Sequence, residues 1–185
     1  REAMKFSSAE RESIMSNDVS AFKGYEDVIC ESNILSIFSD GNEVDEVGTG
    51  TDAIIILRET PFYAESGGQV GDQGMIFHAG DVFKVTDTQK KKDAILHFGK
   101  MVEGTLKKTD KVTVEINLGR RRAIAGSHSA THLLHSALRQ VLGAHVQQRG
   151  SLVEPGRLRF DFSHDKPLSE QEIDHLNELV NQEIQ

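Results

Sequence analysis

The chain has 185 residues, of which 37% are hydrophobic and 27% charged, and its formal net charge is −8. This length allows one or two domains with a hydrophobic core, and this composition excludes a disordered protein. The longest strongly apolar run, Ala53–Leu57, is far shorter than the roughly 20 residues of a membrane-spanning helix, so we expect no membrane partner. Cys30 is the only cysteine. A single cysteine excludes an internal disulfide and a cysteine-rich zinc cluster, and it favours a reducing cytoplasm as the location of the protein.

Residues 1–21 are polar and predict a linker or the end of an upstream helix. The chain begins with Arg1 and lacks a basic-then-apolar signal sequence, so we expect a piece of a longer protein. From about residue 22 to 119 short strands alternate with turns, and six or seven such strands without a long helix predict a small closed β-barrel. The predicted strands are Asp27–Phe38, Glu43–Val47, Ala53–Arg58, Gly74–His78, Val82–Asp87, Ala94–Phe98 and Lys111–Ile116. The Asp40-Gly41 pair predicts a hairpin turn after the first of them.

Residues 120–185 predict a helix, a strand pair and a second helix, which is the beginning of an α+β domain that is cut short. The first helix covers 127–142 and ends before Gly143. Its apolar face consists of Ala130, Leu133, Leu134, Ala137, Leu138 and Val141. The strands Gly150–Val153 and Leu158–Ser163 flank a Glu-Pro-Gly turn. The fold class we expect is therefore mixed β and α+β.

The second helix begins after Ser169, where Glu172 completes a capping box and Leu168 with Ile173 suggests a hydrophobic staple. Its predicted buried stripe consists of Ile173, Leu176, Val180 and Ile184.

Charge is unevenly distributed along the chain. Residues 120–159 contain seven arginines and one acidic residue, whereas residues 160–185 contain seven acidic residues and one lysine. A basic island of this kind can attract phosphate locally, although a surface balanced by its neighbours explains the same composition.

Three histidines share one face of the first predicted helix. His128, His132 and His135 lie with Arg139 within about 60° of one another at 100° per residue, and Thr131 flanks them. Histidines at i and i+4 can present ring nitrogens to one metal ion, although a solvated polar face is an equally good reading.

The histidine spacing also resembles the zinc-peptidase motif, but Ser129 stands where that motif needs a glutamate, so we exclude a zinc peptidase. Two histidines leave a zinc site short of ligands. Further ligands come from outside the chain or from a partner, or they are absent. We therefore expect the chain to bind zinc weakly or not at all.

A glycine-rich segment, Thr60–Gly74, precedes the histidines. It lacks the lysine of a Walker loop and the Rossmann glycine spacing, so we do not interpret it as a nucleotide-phosphate loop. Its glycines suit either a tight barrel loop or a loop that reaches over a neighbouring site.

Taken together, four segments resemble the middle of the alanyl-tRNA synthetase family in its bacterial form. They are TPFYAESGGQVGDQG at Thr60–Gly74, SHSATHLLH at Ser127–His135, QRGSL at Gln148–Leu152 and RFDF at Arg159–Phe162. The histidine motif alone is shared with threonyl-tRNA synthetases and freestanding editing proteins. The glycine segment, in this order and at this distance, makes the alanyl family the better match. Ser127 departs from the asparagine that this family often has before its first histidine.

The resemblance implies a β-barrel followed by an editing domain that hydrolyses Ser- or Gly-mischarged alanine tRNA. It implies that His128 and His132 are the first two zinc ligands, with a cysteine and a histidine expected downstream. Thr131 and Gln148 match residues of the editing pocket.

The resemblance also implies that Gly67, Gly68 and Gln69, in the segment 67–71, approach that pocket. We therefore expect Gln148 and the glycine loop to close one cleft with the histidines.

The implied parent is an alanine–tRNA ligase of the cytoplasm, whose ATP and Mg²⁺ belong to an aminoacylation domain outside this chain. The implied partner is the acceptor end of alanine tRNA rather than DNA, and we expect the piece itself to be inactive. Two alternatives stay open. One is a non-catalytic RNA-binding barrel, and the other is a freestanding trans-editing deacylase.

Overall fold

A computed structural model describes residue 6 and residues 8–183, which fall into two compact units. The first unit comprises residues up to Ser66 together with Gly71–Leu118. The second comprises Gly67–Val70 together with the residues from Gly119 onward. The chain therefore leaves the first unit for four residues, at the glycine-rich segment, before it returns.

The described part of the first unit contains one short helix and eleven strands. These elements are α1 (Ser8–Ser13), β1 (Ala21–Phe22), β2 (Ile29–Ser39), β3 (Asn42–Val44), β4 (Glu46–Gly48), β5 (Asp52–Leu57), β6 (Glu59–Thr60), β7 (Gly74–His78), β8 (Asp81–Lys91), β9 (Ala94–Glu103), β10 (Thr105–Lys107) and β11 (Lys111–Ile116).

Six of these strands form a closed antiparallel barrel. Their order is β11, β7, β8, β9, β5 and β2, and β2 pairs with β11 to complete the ring. Val114 in β11 shows the closure, because it pairs with Ile76 on one side and with Cys30 on the other. The predicted barrel is therefore confirmed.

Strand β5 is buried on both of its faces, which explains its unbroken apolar sequence. Ile55 and Leu57 belong to the larger hydrophobic cluster of the first unit, whereas Ile54 and Ile56 belong to a second cluster. Alternate residues of a strand point to opposite faces, so both faces of β5 need apolar side chains. Ile14, which follows α1, is 1% exposed and belongs to the second cluster.

Residues 1–21 thus include a buried apolar anchor. Within that predicted linker, residues 1–5 and 7 lie outside the described residues.

The turn chemistry of the first hairpin follows the sequence prediction. Ser39 pairs with Asn42, and the two residues between them, Asp40 and Gly41, have φ values of +49° and +77°. Two consecutive positive φ angles are typical of the type I′ turn, which matches the twist of the flanking strands.

One predicted strand, Glu43–Val47, is wrong as a single element. It consists of β3, which pairs with β2, and β4, which pairs with β10, with Asp45 between them. The chain changes pairing partner at Asp45, and an alternating local pattern carries no information about the partner.

Strands β8 and β9 are longer than predicted. They pair with each other as far as Lys91 and Ala94 at the hairpin end. Main-chain hydrogen bonds between β8 and β9 extend both strands into polar segments. Hydrophobic alternation does not predict a strand in such segments.

The second unit contains the four elements that follow the barrel. They are α2 (Leu118–Leu142), β12 (Gln148–Glu154), β13 (Arg157–Phe162) and α3 (Glu170–Glu183). Their hydrophobic cluster consists of Ala137, Leu138, Val146 and Leu176, with Leu134, Val141, Leu142, Phe160, Phe162, Leu168, Leu179 and Val180 packed against it. Among the described residues, no helix is both long enough and apolar enough to cross a membrane.

Helix α2 begins nine residues before the predicted start at residue 127. The added segment contains three arginines and two alanines, which favour helix without showing an apolar stripe. Asn117, which immediately precedes the helix, is a residue type favoured at the N-cap. It is the feature of the sequence that indicates the true start.

Helix α3 confirms the predicted capping box. The Ser169 backbone N–H donates to Glu172 Oε2 at 2.8 Å, and the Glu172 N–H donates to Ser169 Oγ at 3.3 Å. The predicted stripe is wrong at Ile173, which is 44% exposed. Ile173 lies about 60° around the helix from Leu176, at the margin of the buried face. Ile184 lies outside the described residues.

Candidate functional site

The paired histidines lie one turn apart on the exposed side of α2. Their Nε2 atoms are 3.0 Å apart, and their ring centroids are separated by 4.8 Å. Two nitrogens bound to one zinc ion at about 2.0–2.1 Å are about 3.0–3.4 Å apart, so this spacing suits a shared ion as well as a hydrogen bond. His128 and His132 therefore fit two positions of a metal site.

Thr131 immediately precedes His132, flanks the pair on the helix surface and is anchored by the helix itself. It is 8% exposed, and its hydroxyl donates to the Ser127 carbonyl at 2.9 Å. This back-bond to residue i−4 fixes the side-chain rotamer and leaves the oxygen lone pairs of Thr131 to accept hydrogen bonds.

His135 takes a different environment from the pair. Its ring packs on Phe160 with the centroids 5.2 Å apart, and the side chain is half-buried. The helical spacing of 100° per residue predicts that His135 lies beside His128 and His132. In the structure its ring instead packs on Phe160, in the hairpin formed by β12 and β13. Arg139, the fourth member of the predicted stripe, is exposed.

Four residues of the glycine segment, Gly67–Val70, belong to the second unit, where they lie along strand β12. The Val153 N–H donates to the Gly68 carbonyl at 2.8 Å, and the Val70 N–H donates to the Val153 carbonyl at 3.2 Å. Gln69 and Val153 form a parallel bridge. The segment therefore occupies the edge of β12 with main-chain hydrogen bonds.

Gly68 is required by both its backbone angle and its neighbours. Its φ is +83°, and a Cβ at this position would lie 2.5 Å from the Ser151 carbonyl oxygen. A side chain there would force the segment away from β12.

Gln148 begins strand β12, and its side chain is exposed. It pairs with Phe162, and the register shifts between Gln148 and Gly150. The structure thus places Gly68 and Gln69, which follow Gly67, beside Ser151 and Val153 of β12, whereas Gln148 begins the same strand. A cleft that these residues share with His128 and His132 stays a prediction.

A further group of histidines was missed by the sequence reasoning. The hairpin brings His145, which precedes β12, next to His164 and Asp165, which follow β13. The neighbouring His-Asp pair is visible in the sequence, but its partner is 19 residues away and only the strand pairing joins them.

Comparison with known proteins places this chain in a family. A family model described as tRNA synthetases class II (A) matches residues 1–120. The chain belongs to that class II tRNA synthetase family. The match ends at the start of α2. It therefore covers the barrel but not the part of α2 that contains the histidines.

Named relatives of this class II family member cover both units. The alanine–tRNA ligase of Francisella philomiragia subsp. philomiragia is 48% identical over 184 residues, which is 100% of this chain and 21% of the relative. The alanine–tRNA ligase of Parvibaculum lavamentivorans is 53% identical over 165 residues, which is 88% of this chain and 18% of the relative. The chain thus spans about a fifth of the length of the curated relatives it matches, and the resemblance to bacterial alanyl-tRNA synthetases is confirmed.

Proposed function

We propose that this chain is part of an alanine–tRNA ligase and that its second unit contributes to the editing of mischarged tRNA. The observation that carries the proposal is the exposed pair His128 and His132, whose Nε2 atoms lie 3.0 Å apart. The Francisella philomiragia relative, whose match spans the whole chain including this pair, is named an alanine–tRNA ligase. Ligation itself, with ATP and Mg²⁺, belongs to a region outside these 185 residues.

Editing answers a physical limit of amino-acid selection. A binding pocket that accepts alanine cannot exclude glycine by size, and it rejects the added hydroxyl of serine only weakly. A second site that hydrolyses Ser-tRNA and Gly-tRNA supplies the missing discrimination. In that reaction water attacks the ester carbonyl, and the tRNA 3′ oxygen leaves with a proton.

The histidine pair provides half of a zinc site for this reaction. His128 and His132 would hold the ion through Nε2, and two further ligands come from outside the chain. Bound there, zinc would anchor the amino acid or polarise the attacking water. The site is incomplete here, so we propose that the piece itself is inactive.

The polar residues around the pair position the substrate. The Thr131 oxygen is held in place by its bond to Ser127, and the exposed Gln148 amide offers both donor and acceptor groups. Gly68 and Gln69 lie along the edge of β12 and Gly67 precedes them, and the backbone of these residues can approach a ligand closely. We propose that these residues surround the ester in the cleft.

Exposed arginines favour contact with the acceptor end of the tRNA. Arg122 and Arg139 on α2, Arg149 on β12 and Arg157 on β13 are all exposed. Cations at these positions bind phosphate without reading sequence.

The test measures hydrolysis of alanine tRNA mischarged with serine (Ser-tRNA) by the full-length parent protein. We expect the His128→Ala/His132→Ala variant to lose most of its hydrolysis while it keeps aminoacylation with alanine. His175→Ala, which removes an exposed histidine from α3, is the matched control and keeps both activities. Hydrolysis retained in the double variant would overturn the editing proposal.

The same arginines favour a second candidate, a non-catalytic RNA-binding module. This reading predicts that the double histidine variant binds tRNA and deacylates Ser-tRNA as the unaltered parent does. Loss of hydrolysis with unchanged tRNA affinity favours editing.

A further inference from the structure

The second histidine group has the composition and spacing of a metal site. His145 Nε2 lies 3.1 Å from His164 Nδ1, and the Asp165 carboxylate lies 3.7 Å from the same nitrogen. The three ligand atoms all lie within 4.8 Å of one another. We propose that His145, His164 and Asp165 bind a divalent transition-metal ion, such as zinc, independently of the pair on α2.

The backbone around His145 is held in place by the fold. Gly143 ends α2 with a φ of +118°, and a Cβ there would lie 2.9 Å from His145 Nδ1. The absence of a side chain at Gly143 therefore makes room for the imidazole ring. Two hydrogen bonds then join the strands beside it, from Gln147 N–H to Ser163 Oγ at 3.1 Å and from Ser163 N–H to the Gln147 carbonyl at 3.0 Å.

His164 is the preorganised ligand of the group. Its side chain is only 8% exposed, and its ring is nearly parallel to that of His145, with the planes 23° apart and the edges in contact through Nδ1 and Nε2. Its Nε2 is buried without a hydrogen-bond partner among the described residues, so no protein group there fixes the tautomer. In the tautomer that leaves a lone pair on Nδ1, the Nε2 proton has no acceptor among the described residues, so the interaction at Nδ1 has to offset that cost.

The donor set selects the class of ion. Two imidazoles and one carboxylate suit zinc and its neighbours in the first transition row, whereas Mg²⁺ and Ca²⁺ prefer sites made of oxygen ligands. Atoms bound to a tetrahedral ion at about 2.0–2.1 Å are about 3.3 Å apart. The distances from His164 Nδ1, 3.1 and 3.7 Å, lie on either side of that value.

Asp165 provides the third ligand, and its side chain is free to change rotamer. Its side chain is 89% exposed, so it can rotate to shorten the remaining separation. Three protein ligands leave a fourth position for water. The sequence analysis counted only the two ligands on α2 and so predicted weak zinc binding by the chain, whereas this group of three ligands leads us to expect stronger binding.

The test is calorimetric titration of the 185-residue chain with ZnCl₂ in a His128→Ala/His132→Ala background, which removes the other histidine pair. We expect one equivalent of zinc to bind, and we expect His145→Gln and Asp165→Asn each to weaken that binding at least about tenfold. Both residues are exposed, so these variants keep the fold. His175→Gln, which removes another exposed histidine, is the matched control and binds zinc as the background does.

Cobalt absorption provides a second readout, because a nitrogen and oxygen site of low coordination number gives intense visible bands. No bound zinc in the double-alanine background would overturn the proposal. Unchanged affinity in both His145→Gln and Asp165→Asn would overturn it as well.

Discussion

His97 is a buried histidine whose role is structural. Its Nδ1 lies 2.9 Å from the Ile55 carbonyl, and its Nε2 lies 2.8 Å from Thr60 Oγ1. A carbonyl only accepts hydrogen bonds, so Nδ1 carries the proton and Nε2 accepts from the Thr60 hydroxyl. Burial lowers the pKa of His97 from 6.5 to about 4, which keeps the ring neutral near pH 7.

The low pKa of His97 makes the stability of the chain depend on pH. As the pH falls below 6.5, His97 becomes protonated in the unfolded chain. In the folded chain it stays neutral until the pH approaches about 4. The stabilisation is therefore complete above pH 6.5 and declines as the pH falls, by up to about 3 kcal/mol in the free energy of unfolding. Urea denaturation at pH 7 and pH 4.5 measures it.

Comparison with a variant isolates His97 from the carboxylates that titrate in the same range. We expect His97→Gln to lose less stability than the unaltered chain between these two pH values, although it starts lower because its hydrogen bonds are lost. His175→Gln should decline as the unaltered chain does. An identical decline in His97→Gln would contradict the assignment.

Individual site residues differ in how far their sequence revealed them. His128 and His132 come together because i and i+4 are neighbours on any helix. His135 follows the same rule of spacing, but it contacts Phe160 from a different element. Local geometry therefore determines the pair, whereas the environment of His135 depends on the hairpin.

At the scale of an element, the capping box of α3 shows sequence and structure in agreement. Ser169 and Glu172 satisfy each other's backbone N–H groups at the helix start. The hydrogen bonds from the Ser169 backbone and hydroxyl hold the pKa of Glu172 below its usual value. The charge also suits the positive end of the helix dipole.

Removal of this cap should weaken the second unit. We expect Ser169→Ala to reduce the free energy of unfolding by about 1 kcal/mol, because it leaves the Glu172 N–H without its acceptor. Ser136→Ala, an exposed substitution inside α2, is the matched control and should be neutral or slightly stabilising. Chemical denaturation followed by helical circular dichroism gives both values. Equal stability of the two variants would exclude a contribution from the cap.

At the scale of the whole molecule, the uneven charge gives a prediction about tRNA binding. Arg149 and Arg157 are exposed in the second unit, in a region of seven arginines. If they contact phosphates, each replacement by alanine removes one released counterion. We expect Arg149→Ala and Arg157→Ala each to reduce the slope of log affinity against log salt by about 1.

Titration of alanine tRNA at several salt concentrations measures that slope. Lys84→Ala, which removes an exposed cation from β8 of the barrel, is the control and should leave the slope unchanged. If the lysine and arginine variants change the slope equally, binding is a property of general charge and not of the basic island.

Elements whose stability is local could be predicted from the sequence. Short apolar segments between turn residues located β7 and β11 at their observed bounds, Asp40-Gly41 specified its turn, and Ser169 with Glu172 specified a helix start. Closure of the barrel also followed, because many short strands without helices have unpaired edges that closure removes.

Contacts between groups that are distant in the sequence depended on how the whole unit packs. Main-chain pairing placed Gly68 beside Ser151 and divided Glu43–Val47 between two partners. It also brought His145 to His164. Main-chain hydrogen bonds use the same donors and acceptors at every residue, so the choice of partner depends on the packing of the whole unit, which no short stretch of sequence encodes.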